Sequence, residues 1–158
     1  MHNKQINSAQ PLTELRQLAI RKFQEADRQA LRELFVASRD AAFTWSLDSE
    51  HKLEDFDIVT AGERILVAEI AGKRIGFASI DEADSFLHNL FVHPQYQGQD
   101  VGKALLARCE RYLLVTPTLK CVKANELAWR FYEAQGWAVH SEAEGPDGPY
   151  LLMERASS

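Results

Sequence analysis

Residues 96–106 read YQGQDVGKALL. Gly98 and Gly102 flank Asp100, and the apolar spacing that follows is helical. Glycine lets a backbone approach a ligand closely, and a helix N-terminus carries unpaired N–H groups and a partial positive charge. Such a turn can hold a phosphate with backbone amides alone. Two common phosphate patterns are excluded. A Walker-type loop, G-x-x-x-x-G-K-[ST], needs one more residue between its glycines, and Ala104 replaces the hydroxyl that would hold magnesium. A dinucleotide turn, G-x-G-x-x-G, is broken by Asp100, and its strand comes late, after a hairpin. An acid where an anion should sit is the point to explain. Asp and Asn tolerate the left-handed backbone conformation better than most non-glycine residues. An Asp100 side chain turned to solvent, or capping the helix, would leave only its amide facing the phosphate.

The loop needs a strand before it and a helix after it, and the chain supplies both. Residues 18–24 read as a strand and 25–40 as a helix with Asp27 at its N-cap. Residues 41–63 mix aromatics with acids and read as a second helix plus a loop. Residues 64–80 form a hairpin around Ala71–Lys73, and 85–94 a strand stopped by Pro94. The helix after the loop runs to about Val115, with Val101, Leu105, Cys109 and Tyr112 as its inner stripe. A strand over 116–124 precedes a helix capped by Asn125 and closed by Gly136. Two strands, 137–142 and 150–156, flank the turn-rich GPDGP. The order predicts a mixed α/β sheet with hairpins and crossovers, in which the strands on either side of the Gly98 helix lie parallel.

Bulk properties narrow the partners. A chain of 158 residues, 46% hydrophobic and 26% charged, fits one globular domain over about 16–155, with residues 1–15 polar and expected to be poorly ordered. A net charge of −5 argues against nucleic acid, whose phosphates need a basic face. No apolar run approaches a membrane span, and no hydrophobic signal core opens the chain. Cys109 and Cys121 lack the number and spacing of a disulfide framework or zinc site, so a reducing cytoplasm is the expectation. His51, His93 and His140 lack ligand spacing, and no metal is expected.

LFVHPQYQGQDVGKALL and the later NELAWRFYEAQGW together resemble the GNAT superfamily of acyl-CoA-dependent N-acetyltransferases. Gln97, Gly98, Gln99, Val101 and Gly102 fit its [QR]-x-x-G-x-[GA] loop, with Asp100 where glycine is usual. Asn125, Ala128, Phe131, Tyr132, Gly136 and Trp137 fit every position of N-x-x-A-x-x-F-Y-x-x-x-G-[FW]. The resemblance spans about 16–155. It implies an α+β fold: a mostly antiparallel sheet with a central parallel pair, flanked by helices. It also implies acetyl-CoA as co-substrate, a small-molecule or peptide amine as acceptor, and a monomer or homodimer.

The resemblance assigns roles. Amides between Gln97 and Gly102 would hold the pyrophosphate, with Lys103 offsetting the Asp100 charge. The backbone of Leu90, Phe91 and Val92 would pair with the pantetheine arm, an N–H of Phe91 or Val92 serving as oxyanion donor. Asn125 would touch the same arm, and Tyr132, one helical face along, would protonate the departing thiolate. Packing beside Phe131 is the alternative for Tyr132. His88, Glu82 and Asp84 are candidate bases, with a structural role the alternative for His88 and water an alternative carrier of the proton. Strict alternation places His88 on the face of Leu90 and Val92. Phe43 and Trp45, with Phe56, would wall the acceptor site, or serve in ordinary packing. Asp48, Glu50, Glu54, Asp55 and Asp57 would favour a cationic acceptor, or form a solvated charged run. A different reading is an acyl-CoA-binding sensor with little turnover, motivated by Asp100 alone.

Overall fold

The computed structural model describes residues 17–42 and 52–156. The polar segment 1–15 and the aromatic residues Phe43 and Trp45 lie outside them. Seven strands form one sheet in the order β1-β2-β3-β4-β5-β7-β6. They are β1 (Leu18–Lys22), β2 (Arg64–Ile70), β3 (Lys73–Asp81), β4 (Phe86–Val92), β5 (Thr118–Val122), β6 (Trp137–Gly145) and β7 (Gly148–Arg155). Helices α1 (Arg28–Ala42), α2 (Asp55–Val59), α3 (Val101–Glu110) and α4 (Glu126–Ala134) complete the order expected from the sequence. Every neighbouring pair is antiparallel except β4 and β5, the predicted parallel pair.

Period-2 alternation gives the sheet two apolar faces. On one face, Leu66, Ala68, Ile80, Leu87, Leu119 and Met153 pack with Leu105, Leu106 and Cys109 of α3. On the other, Val67 and Phe77 pack with Leu31, Leu34 and Phe35 of α1 and Phe56 of α2. Phe56, a candidate for the acceptor wall, is thus a fully buried core residue. The rings of Phe35 and Phe77 hold Phe91, edge-on at 5.3 Å and stacked at 5.5 Å, and so fix the upper half of β4. Each such buried ring contributes about 1.5–3 kcal/mol of apolar burial.

Several expectations are corrected. The β2–β3 turn is two residues, Ala71 and Gly72, both at positive φ, rather than three. That geometry matches the twist of the flanking strands. Asp27 ends a 3-10 turn, Glu25–Asp27, instead of capping α1. Its buried carboxylate accepts from Arg21, Arg74 and the Gln24 amide, which pins β1, β3 and the start of α1 together. These bonds hold the carboxyl well below the usual carboxylate range, Arg21 most of all. Helix α3 stops at Glu110, short of Val115, and Leu114 and Val115 are exposed. The Ser85 hydroxyl donates to the Val115 carbonyl at 2.8 Å, turning the chain into β5. The stripe of Val101, Leu105 and Cys109 is buried as expected, whereas Tyr112 lies past the helix end.

Candidate active site

The parallel pair is short. Phe86 pairs with Thr118 and Leu87 with Leu119, and beyond Leu87 the two strands no longer pair. β5 continues along β7 to Val122, and β4 along β3 to Val92, so a wedge opens between them. A local cause lies in β4. Asn89 pairs with Ser79 and Leu87 with Ile80, so His88 is an extra residue without a partner on β3. Such a bulge bends its strand and increases its twist. From His88 to Val92 one backbone edge of β4 faces the wedge. Unpaired strand edges present amides and carbonyls that an extended ligand can join.

The glycine loop stands at the wide end. Gly98 has φ 78 with nothing within 4 Å of a built Cβ, so its conformation is what calls for glycine. Gly102 differs: an added Cβ would meet Phe131 at 3.5 Å, an ordinary contact, so close packing there does not demand glycine. Asp100 adopts φ 66 and ψ 10, the left-handed conformation expected of it. Its side chain makes no capping bond and is exposed, while its carbonyl accepts from Ala104 to open α3. No described residue accepts from the amides of Gly98, Gln99 or Asp100. The amides of Val101, Gly102 and Lys103 lie in the first turn, where an α-helix has no internal acceptor. The side chains divide differently: Val101 is core, Lys103 is exposed, and Gln97 donates to the Val92 carbonyl at 3.1 Å. Gln99 donates to the Gln95 carbonyl at 3.2 Å, with its own amide oxygen buried and unpartnered among the described residues.

Helix α4 flanks the wedge on the α3 face. The Asn125 side chain accepts from the Ala128 amide at 3.3 Å and caps the helix, which leaves its NH2 group for a ligand. Tyr132 packs half-buried against the α3-side core, edge-on to Phe131 and to Trp137. Its hydroxyl bonds no described residue. Burial pushes the phenol above its ordinary value, and the neighbouring Cys121 and Cys109 thiols add to this. It is therefore protonated at neutral pH. Burial likewise pushes Cys121 up to about 11 and Cys109 up to about 12, so neither is a ready nucleophile.

His88 is not where strict alternation would place it. The bulge turns it away from Leu90 and Val92, which pack toward α3, to the opposite face, where Nδ1 lies 2.8 Å from Glu63 Oε2. Glu63, in the turn before β2, was missed: nothing in its spacing ties it to a residue 25 positions later. Glu82 and Asp84 sit in the β3–β4 turn at the closed end of the wedge. Glu82 is paired with Arg64 at 2.8 Å, and the Asp84 amide donates to Asp81. Of the acids thought to favour a cation, Asp57 is clamped by Arg32 and Arg28, which depress its carboxyl, and Asp55 accepts from the Lys52 amide.

Comparison with known proteins gives this geometry a name. The chain is 26% identical to the L-amino acid N-acyltransferase MnaT of Escherichia coli (strain K12), over 79% of this chain and 82% of that protein. Its fold matches apo YjaB from Escherichia coli with a TM-score of 0.74 and 22% identity, covering 89% of this chain and 99% of that one. It matches the PaiA N-acetyltransferase of Thermoplasma acidophilum, determined in complex with coenzyme A, with a TM-score of 0.71 and 21% identity, covering 89% and 99%. The family profile and the curated relatives together define an acyltransferase enzyme. The acetyltransferase (GNAT) domain profile matches residues 61–139, half of the chain, and the protein belongs to that family.

Proposed function

We propose that the protein transfers the acetyl group of acetyl-CoA to a primary amine by direct attack within a ternary complex. The wedge between β4 and β5, with a protonated phenol on one face and an imidazole on the other, carries this reading. The pantetheine arm lies along the free edge of β4 with its pyrophosphate on the loop amides from Gly98 to Lys103, and Asn125 steadies the arm from α4. The acceptor nitrogen attacks the thioester carbon from the α1/α2 face. An amide of Phe91 or Val92 stabilises the oxyanion. The C–S bond breaks, Tyr132 protonates the leaving sulfur, and the proton lost by the amine passes to His88. Solvent then resets both groups.

The pairing of Asp55 and Asp57 with their own neighbours removes part of the case for a cationic acceptor, and the similarity to an amino-acid acyltransferase favours an amino acid. The left-handed Asp100 keeps the backbone that glycine would provide, so it no longer motivates a non-catalytic sensor. The test is release of coenzyme A thiol with a panel of amino acids, polyamines and peptide N-termini. Tight coenzyme A binding without transfer to any amine would favour the sensor instead. A cytoplasmic location accords with this chemistry, and no described helix is long and apolar enough to cross a membrane.

A further inference from the structure

We infer that Glu63 is a positioning residue that fixes the tautomer of His88, so that Nε2 is the bare nitrogen offered to the acceptor amine. The inference rests on the acetyl-transfer reading above. Glu63 Oε2 lies 2.8 Å from His88 Nδ1, and the Glu63 side chain is only 12% exposed against 41% for His88. An ion pair at an open surface would leave both partners wet; here the carboxylate is the sheltered member. Its other oxygen, Oε1, is buried without a partner among the described residues, so the hydrogen-bonding demand of the carboxylate falls on His88.

The support behind Glu63 is rigid. Its amide donates to the Thr60 carbonyl at 3.0 Å, and the Thr60 hydroxyl donates to the carbonyl of core residue Phe56 at 2.8 Å. The adjacent Arg64 points elsewhere, over the Tyr112 ring at 4.2 Å and onto Glu82. On the strand side, the bulge places His88 on β4 at the point where its pairing with β5 ends. An ionised carboxylate only accepts, so Nδ1 must carry the hydrogen. In the neutral ring Nε2 then keeps its lone pair, and no described residue uses it. The ring cannot rotate to offer the other nitrogen without abandoning Glu63. The geometry thus supplies an oriented acceptor for a proton at the apex of the wedge, on the face opposite Tyr132.

Two readouts test this on the full chain. The first is the 15N spectrum of histidine-labelled protein without substrates, assigned to His88 by comparison with His88→Gln. The expected pattern is the Nδ1–H tautomer in the parent and a shift to Nε2–H in Glu63→Leu, which removes the acceptor while keeping the side chain's bulk. The second is steady-state kinetics. Glu63→Leu should lower kcat by about tenfold, as loss of an orienting partner does, with the acetyl-CoA KM unchanged and partial recovery in Glu63→Gln, whose amide oxygen still accepts. An Nε2–H tautomer in the parent overturns the inference whether or not any amine is acetylated. So does an unchanged kcat in a Glu63→Leu protein that keeps its fold by circular dichroism. If the parent shows the Nδ1–H form, Glu63→Leu reverses it, and yet no amine in the panel is acetylated, the acetyl-transfer reading fails while the tautomer assignment stands.

Discussion

The Gln97 side-chain amide donates to the Val92 carbonyl at 3.1 Å and ties the glycine loop to the last residue of β4. An exposed hydrogen bond thus helps to hold the strand edge and the glycine loop in register. Removing it in Gln97→Ala costs about 1 kcal/mol of positioning. We expect the acetyl-CoA KM to rise about fivefold, with kcat less affected and the melting temperature nearly unchanged. An unchanged KM would show that the loop holds its place without this tether.

Asp100 sits at φ 66 without a side-chain cap. Asp100→Gly relieves a left-handed non-glycine residue and should stabilise the fold by up to about 1 kcal/mol. Coenzyme A affinity should stay level or tighten, since a carboxylate leaves the proposed pyrophosphate site. Urea unfolding checks the stability and calorimetric titration the affinity. A marked loss of affinity would give the carboxylate a binding role.

Tyr132→Phe removes the hydroxyl but keeps the ring that packs against Phe131 and Trp137. The expected result is a fall in kcat of about 10²-fold, the lower end for general acid catalysis, with coenzyme A affinity little changed. Because burial raises the phenol pKa, any alkaline loss of activity through this group lies above the ordinary phenol range. A variant with parental kcat would remove Tyr132 from the proton path.

Asp27 joins Arg21 and Arg74 with a fully buried carboxylate. Its pKa is depressed on folding, so its stabilisation is complete above the unfolded aspartate value near ~4 and drains away as pH falls below it. Asp27→Asn should cost about 3 kcal/mol in urea unfolding at pH 7. The gap between parent and variant should narrow below pH 4. A gap that stays constant with pH would mean that the carboxylate charge is not what matters.

The element order was legible because its signals are local. Asn125 caps α4, Gly136 closes it at φ 95, and the β2–β3 run alternates over both faces. The left-handed Asp100 was legible for the same reason, since side-chain type limits backbone conformation at a single position. The bulge at His88 was not. Alternation assumes period 2, and one extra residue sends a side chain to the other face without leaving a mark in composition. Glu63 was hidden by distance along the chain. Asp27 was misread because its carboxylate serves two arginines from other strands, a tertiary choice that outweighs its capping preference.

The two-rung contact between β4 and β5 also has a mechanical side. Strands β1–β4 and β5–β7 form two plates joined along a short seam, with residues of α3 and α4 in the core on one side of the sheet. A pantetheine chain lying along β4 would work as a splice, lengthening the seam from inside. Occupancy should then show as cohesion: at a hundredfold excess over Kd, about 2.7 kcal/mol of added stability, with hydrogen exchange slowed on both plates together.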